Sequence, residues 1–141
     1  MSDLNTAIEQ LMAAFRERVV GLKEAPVYPE PTASNFPFLV IFPNTGSNNW
    51  KLAGHRNDTH NLQIQLHVSL TNLPVDVKQA IGFVEQIPSA VKDAEDAGDL
   101  SAISLPMDMN YTFGAMKWAS ADTIGFTWTL PIRIEQIEQI G

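Results

Sequence analysis

The chain has 141 residues, no cysteine and a formal net charge of -7. That length is one domain, 1–141, with room for a real core, and the missing thiols exclude disulfides, thiolate metal sites and a cysteine nucleophile. Nine basic residues are scattered, with Arg16, Arg18 and Lys23 the nearest to a cluster, so the acidic chain lacks the grouped cations that sequence-specific nucleic-acid binding needs.

The opening residues are polar and acidic and do not read as a secretory signal. The longest apolar run, Phe38–Phe42, is far too short to cross a membrane. The expectation is a soluble protein assembled in the cytoplasm, in which the sequons at Asn57 and Asn110 are accidental.

In chain order, Leu4, Ile8, Leu11, Met12, Phe15 and Val19 recur at spacings of three and four, predicting an amphipathic helix. Ser2 or Asp3 can cap its start, Arg16 and Arg18 suit its C-terminal dipole, and Gly21 can end it. Pro26, Pro29, Pro31 and Pro37 then mark an extended connector. Phe38–Phe42 reads as a buried strand closed by Pro43. Asn44–Asn49 has loop composition, Trp50–Leu52 fits a short strand, and Gly54–His60 is polar again. From Asn61 to Leu70 the pattern alternates without fault: Leu62, Ile64, Leu66 and Val68 form a dry face, and Gln63, Gln65 and His67 a wet one facing solvent, a lumen or a neighbouring subunit.

Val77, Ala80, Ile81, Val84 and Ile87 form a second helical stripe, with a break expected at Pro88 and a further helical piece to Ala97 stopped by Gly98. Met107, Met109, Tyr111 and Phe113 alternate up to Gly114. The last strand runs over Phe126, Trp128, Leu130, Ile132 and Ile134, and Pro131 within it suggests an edge or a bulge. Runs of strands between helices predict an α+β fold. Its sheet is mainly antiparallel, with the N-terminal helix and the central helical segment packed on one face.

No motif for chemistry stands out. His55, Asp58 and His60 lie near one another but lack a third matching metal ligand, and there is no H-E-x-x-H pattern. No G-x-S-x-G or phosphate-binding glycine loop occurs. Asp93, Glu95, Asp96 and Asp99 read as a solvated helix end. The expectation is no enzyme activity, no cofactor and no metal. The aromatic residues are more informative. Trp50 sits between polar stretches, where a tryptophan suits an interface anchor better than a solvated loop. With Lys51, Leu52, the wet-face Gln63 and Gln65, and the late-strand Trp128 and Arg133, it makes up the candidate contact residues, although Trp128 also fits a core position.

The order of elements resembles that of tail terminator (tail completion) proteins of long-tailed, siphovirus-like bacteriophages over nearly the whole chain. The resemblance is carried by Phe36-Pro37-Phe38-Leu39-Val40-Ile41-Phe42, by Leu62–Leu70 and by Ile124–Ile134. It implies a homo-oligomeric ring, usually a hexamer, that caps the tail tube in the virion, ends tube growth and offers a head-joining surface. Its implied partners are further copies of the chain, the tail tube protein and head–tail connector proteins. A neck or head–tail joining protein shares much of the pattern. The reading from another class is a small ligand-binding α+β domain with Met107, Met109, Phe113 and Trp118 lining a pocket.

Overall fold

A computed structural model describes residues 3–31, 35–51, 54–106 and 108–137. Seven elements follow one another: α1 Leu4–Arg18, β1 Phe38–Trp50, β2 His55–Ser69, α2 Leu73–Ile81, α3 Gln86–Asp96, β3 Asn110–Trp118 and β4 Ala121–Ile137. The four strands form one antiparallel sheet in the order β1-β2-β4-β3, so the fold is α+β as the patterning predicts. Among the described residues no helix is long and apolar enough to cross a membrane.

Local chemistry explains the helix ends. Asp3 Oδ1 accepts from the Thr6 N–H at 2.7 Å and caps α1. α1 stops at Val19, which turns extended, and Gly21 follows at φ +100°. Asp76 lies in the first turn of α2, and its carboxylate accepts from the Thr71 and Asn72 N–H groups, both at 2.8 Å. α3 ends in a Schellman arrangement: Gly98 at φ +80° donates to Glu95 O, and Asp99 donates to Ala94 O. The break in the central helical region falls at Gly82–Glu85 and not at Pro88. Pro88 sits in the first turn of α3, where its missing N–H has no intrahelical partner to lose.

Leu62, Ile64, Leu66 and Val68 are all fully buried and join α1 and α3 residues such as Leu11, Phe15 and Ile87 in one core. Directly paired residues share a sheet face, so the rows Leu39–Leu66–Phe126–Phe113 and Ile41–Ile64–Trp128–Tyr111 run across this helix-facing side. At its β3 end the apolar layer thins: Tyr111 and Phe113 pack against Phe126 and are otherwise exposed.

Two expectations about strands are corrected. The stretch Asn44–Asn49, read as a loop, continues β1 to Trp50 after an irregularity between Pro43 and Thr45. Its polar side chains are tolerated because β2 supplies the backbone hydrogen bonds while the side chains of 44–50 on both faces stay exposed to water. β4, which Pro131 suggested was an edge, is paired on both sides. The Arg133 N–H points away from β2 to Ser104 O at 2.9 Å. Pro131, two residues earlier, directs its nitrogen the same way, into the gap between the Ser104 bridge and the end of β3 at the Asn110–Thr129 pair. Among the described residues none pairs with Pro131 on that side, so no ladder bond is lost there.

The opposite sheet face is not simply wet. His67, placed on the wet face by alternation, is fully buried, as are Phe38, Val40 and Thr123. The row Phe38–His67–Gly125–Gly114 crosses this face. Gly125 lies so close to β2 that a Cβ there would stand 1.8 Å from Leu66 O. Trp118, from the end of the β3–β4 hairpin, reaches His67 and Phe38 on this face, each with ring centroids 5.3 Å away. The Trp118 indole N–H then donates to Glu30 O at 3.2 Å, tying the proline-rich connector to the same face.

Candidate functional site

The distal half of the β1–β2 hairpin gathers the most distinctive surface side chains. The turn is closed by the Lys51 N–H donating to His55 O at 2.8 Å, with Gly54 at φ +79°. The pairs Asn48–Asp58 and Trp50–Arg56 follow one another down one face of the hairpin. Trp50 is 65% exposed, yet the Arg56 guanidinium lies 5.1 Å from its ring centroid in cation–π contact. Arg56 Nε donates to Asp58 Oδ1 at 2.8 Å, and Asn48 Nδ2 donates to the same oxygen at 2.6 Å.

Asp58 is only 5% exposed. Burial pushes its carboxyl up, but the hydrogen bonds from Asn48 and Arg56 and the Arg56 charge outweigh that and hold it below its ordinary value. The result is a chain of contacts, Asn48 to Asp58 to Arg56 to Trp50, that holds a large indole in place at the surface. Such an arrangement can bind, because a fixed aromatic loses little freedom when it is covered. It holds no nucleophile or acid–base pair.

The other contact candidates separate. Lys51 is exposed beside Trp50, and Arg133 is exposed on β4. Leu52 lies outside the described residues. Gln63 and Gln65 are half-buried on the face away from the helices. Gln65 is committed inward, since its Oε1 stands 2.9 Å from His67 Nε2. Trp128 is 1% exposed and belongs to the core between Phe126 and the helices, so of its two readings the buried one describes it. Its position opposite Ile64 and Tyr111 puts it in the centre of the helix-facing layer.

His67 is the residue that alternation misplaced. A glutamine oxygen only accepts, so Nε2 carries the hydrogen, and Nδ1, 2.7 Å from Thr123 Oγ1, accepts from the hydroxyl. Burial alone lowers its pKa to about 4, so the ring is neutral at pH 7. The signal that could have revealed it is the apolar company on its own face, namely Phe38, Val40 and Phe42 at every second position of β1.

Among the described residues no group of three or more His, Asp or Glu side chains is placed to hold a metal. His55 Nδ1 instead stands 3.5 Å from Glu135. The acidic helix end is partly paired, Lys92 with Glu95 and Asp96, and Arg18 with Asp99. Among the described residues the pocket stripe of the ligand-binding alternative does not converge. Phe113 shares the helix-facing side with Phe126, Trp118 lies on the opposite face, and Met107 is outside the described residues. No protein-family model matches the chain, and no curated protein matches it.

Proposed function

We propose that this chain is a structural assembly protein without catalytic activity, a tail terminator of a long-tailed bacteriophage. In this reading it forms a ring that caps the tail tube, ends tube growth and presents a surface to head–tail connector proteins, and its place is the virion tail. The observation that carries the reading is the hairpin end. A tryptophan left 65% exposed, but fixed by Arg56, Asp58 and Asn48, gains nothing in a solitary monomer and has the make-up of an interface anchor. The resemblance in element order supplies the rest, and the division of Phe113 and Trp118 between opposite sheet faces disfavours the small-ligand reading.

The test is the mass of the protein in solution by light scattering, alone and mixed with tail tube protein. The expected result is a cyclic oligomer of several 15.6 kDa chains, or its formation on the tube end with arrest of tube growth. A strict monomer that leaves tube polymerisation unchanged would overturn the reading.

A further inference from the structure

The charge of the chain is unevenly distributed. Residues 44–61, the distal hairpin and its turn, contain Lys51, Arg56 and Asp58, a net charge of +1. The remaining seven basic and fifteen acidic residues carry -8. The hairpin's lone carboxylate is also turned inward and held by Asn48 and Arg56, Trp50 and Lys51 are exposed at the tip, and Glu135 of β4 stands beside its base at His55. The densest part of the acidic excess lies on α3 and the turn after it. There Asp93, Glu95, Asp96 and Asp99 are all exposed, and among the described residues Lys92 and Arg18 are the cations paired with members of the group.

We propose that the hairpin tip of one copy docks on the acidic α3 end of a second copy, with Trp50 as the apolar anchor and Lys51 as the steering charge. The inference rests on the ring reading above and gives it a specific contact. The two patches differ in sign and belong to different elements, so each copy offers one of each. A contact between unlike patches is head-to-tail and repeats around a ring when its rotation closes. Opposite potentials hasten encounter and set orientation, while the indole supplies the area that shields the contact from water. The same excess of carboxylates makes two α3 ends repel, which disfavours pairing of like surfaces.

The experiment is a charge-swap cycle followed by analytical ultracentrifugation, with circular dichroism to verify folding. Lys51→Glu, and separately the double change Asp93→Lys with Asp96→Lys, should each weaken self-association about tenfold or more, and all three together should recover most of it. Raising salt from about 0.05 to about 0.5 M should weaken the wild type and leave a Lys51→Ser variant less affected. These residues are exposed, so a variant that fails to fold is replaced by Lys51→Ser or Asp93→Asn and read the same way. A wild type that self-associates while both reversals leave it unchanged would overturn this contact and leave the ring standing. A wild type that stays monomeric with or without tube protein would overturn the ring reading, and this contact with it.

Discussion

The imidazole of His67 lies flat against the ring of Phe38, with centroids 4.8 Å apart and planes 16° from parallel. Trp118 closes over both rings from the end of the β3–β4 hairpin. The sheet therefore has a second, smaller apolar layer opposite the helices, and the histidine at its centre holds the edge-strand hairpin and the connector to the same spot.

Acid should weaken this layer. Unfolded, His67 protonates near pH 6.5, whereas in the fold it resists protonation down to about 4. Between those values the unfolded state binds the extra proton, so stability is fully present above about pH 6.5 and is lost progressively as pH falls towards 4. The loss from this one residue is at most about 3 kcal/mol. Denaturant unfolding at stepped pH should show the slope, and His67→Gln should flatten it. An unchanged slope in that variant would remove His67 as its source.

Gly125 should not tolerate a side chain. An alanine there would set its Cβ against Leu66 O, which is backbone and cannot step aside. We expect Gly125→Ala to cost about 3 kcal/mol or more. At its cross-strand partner Gly114, a methyl group would meet nothing within 4 Å, so Gly114→Ala should cost less than about 1 kcal/mol. Thermal or denaturant unfolding of the two variants checks the contrast.

Neighbours on β2 should differ for separate reasons. Leu66→Ala opens a cavity between sheet and helices and should cost about 2–5 kcal/mol. Gln65→Ala removes the acceptor of the buried His67 N–H and should cost about 1–3 kcal/mol. Equal equilibrium unfolding curves for Gln65→Ala and the wild type would show that the bond is replaced by water.

Asp58→Ala should leave Asn48 and Arg56 without their shared acceptor, at a cost of about 1–3 kcal/mol. It should also loosen the contact between Arg56 and Trp50, which tryptophan fluorescence anisotropy would register as faster motion of the indole.

Trp50→Ala should leave folding almost unchanged, because the indole is mostly exposed. It should reduce self-association or tube binding at least about tenfold. Circular dichroism and light scattering on the same sample separate the two effects. A variant that folds and assembles normally would take the hairpin tip out of the interface.

Strong periodicity in the chain is enough to place two of its elements. The stripe from Leu4 to Val19 and the alternation from Leu62 to Val68 each put large apolar groups on one side, and only one local conformation lets them share a core. The contact chain from Asn48 to Trp50 is legible in the sequence only as a lone tryptophan in a polar stretch, because Asp58 and Arg56 join it through strand register, not through sequence spacing. The fate of His67 depends wholly on tertiary packing. Alternation assigns a residue to a face but does not say what covers that face. Here the cover comes from Trp118, fifty-one residues further on, which packs over His67 and Phe38 while Glu30 O receives its N–H. Pro131 follows the same logic: its effect depends on whether a strand lies beside it, and β3 ends before reaching it.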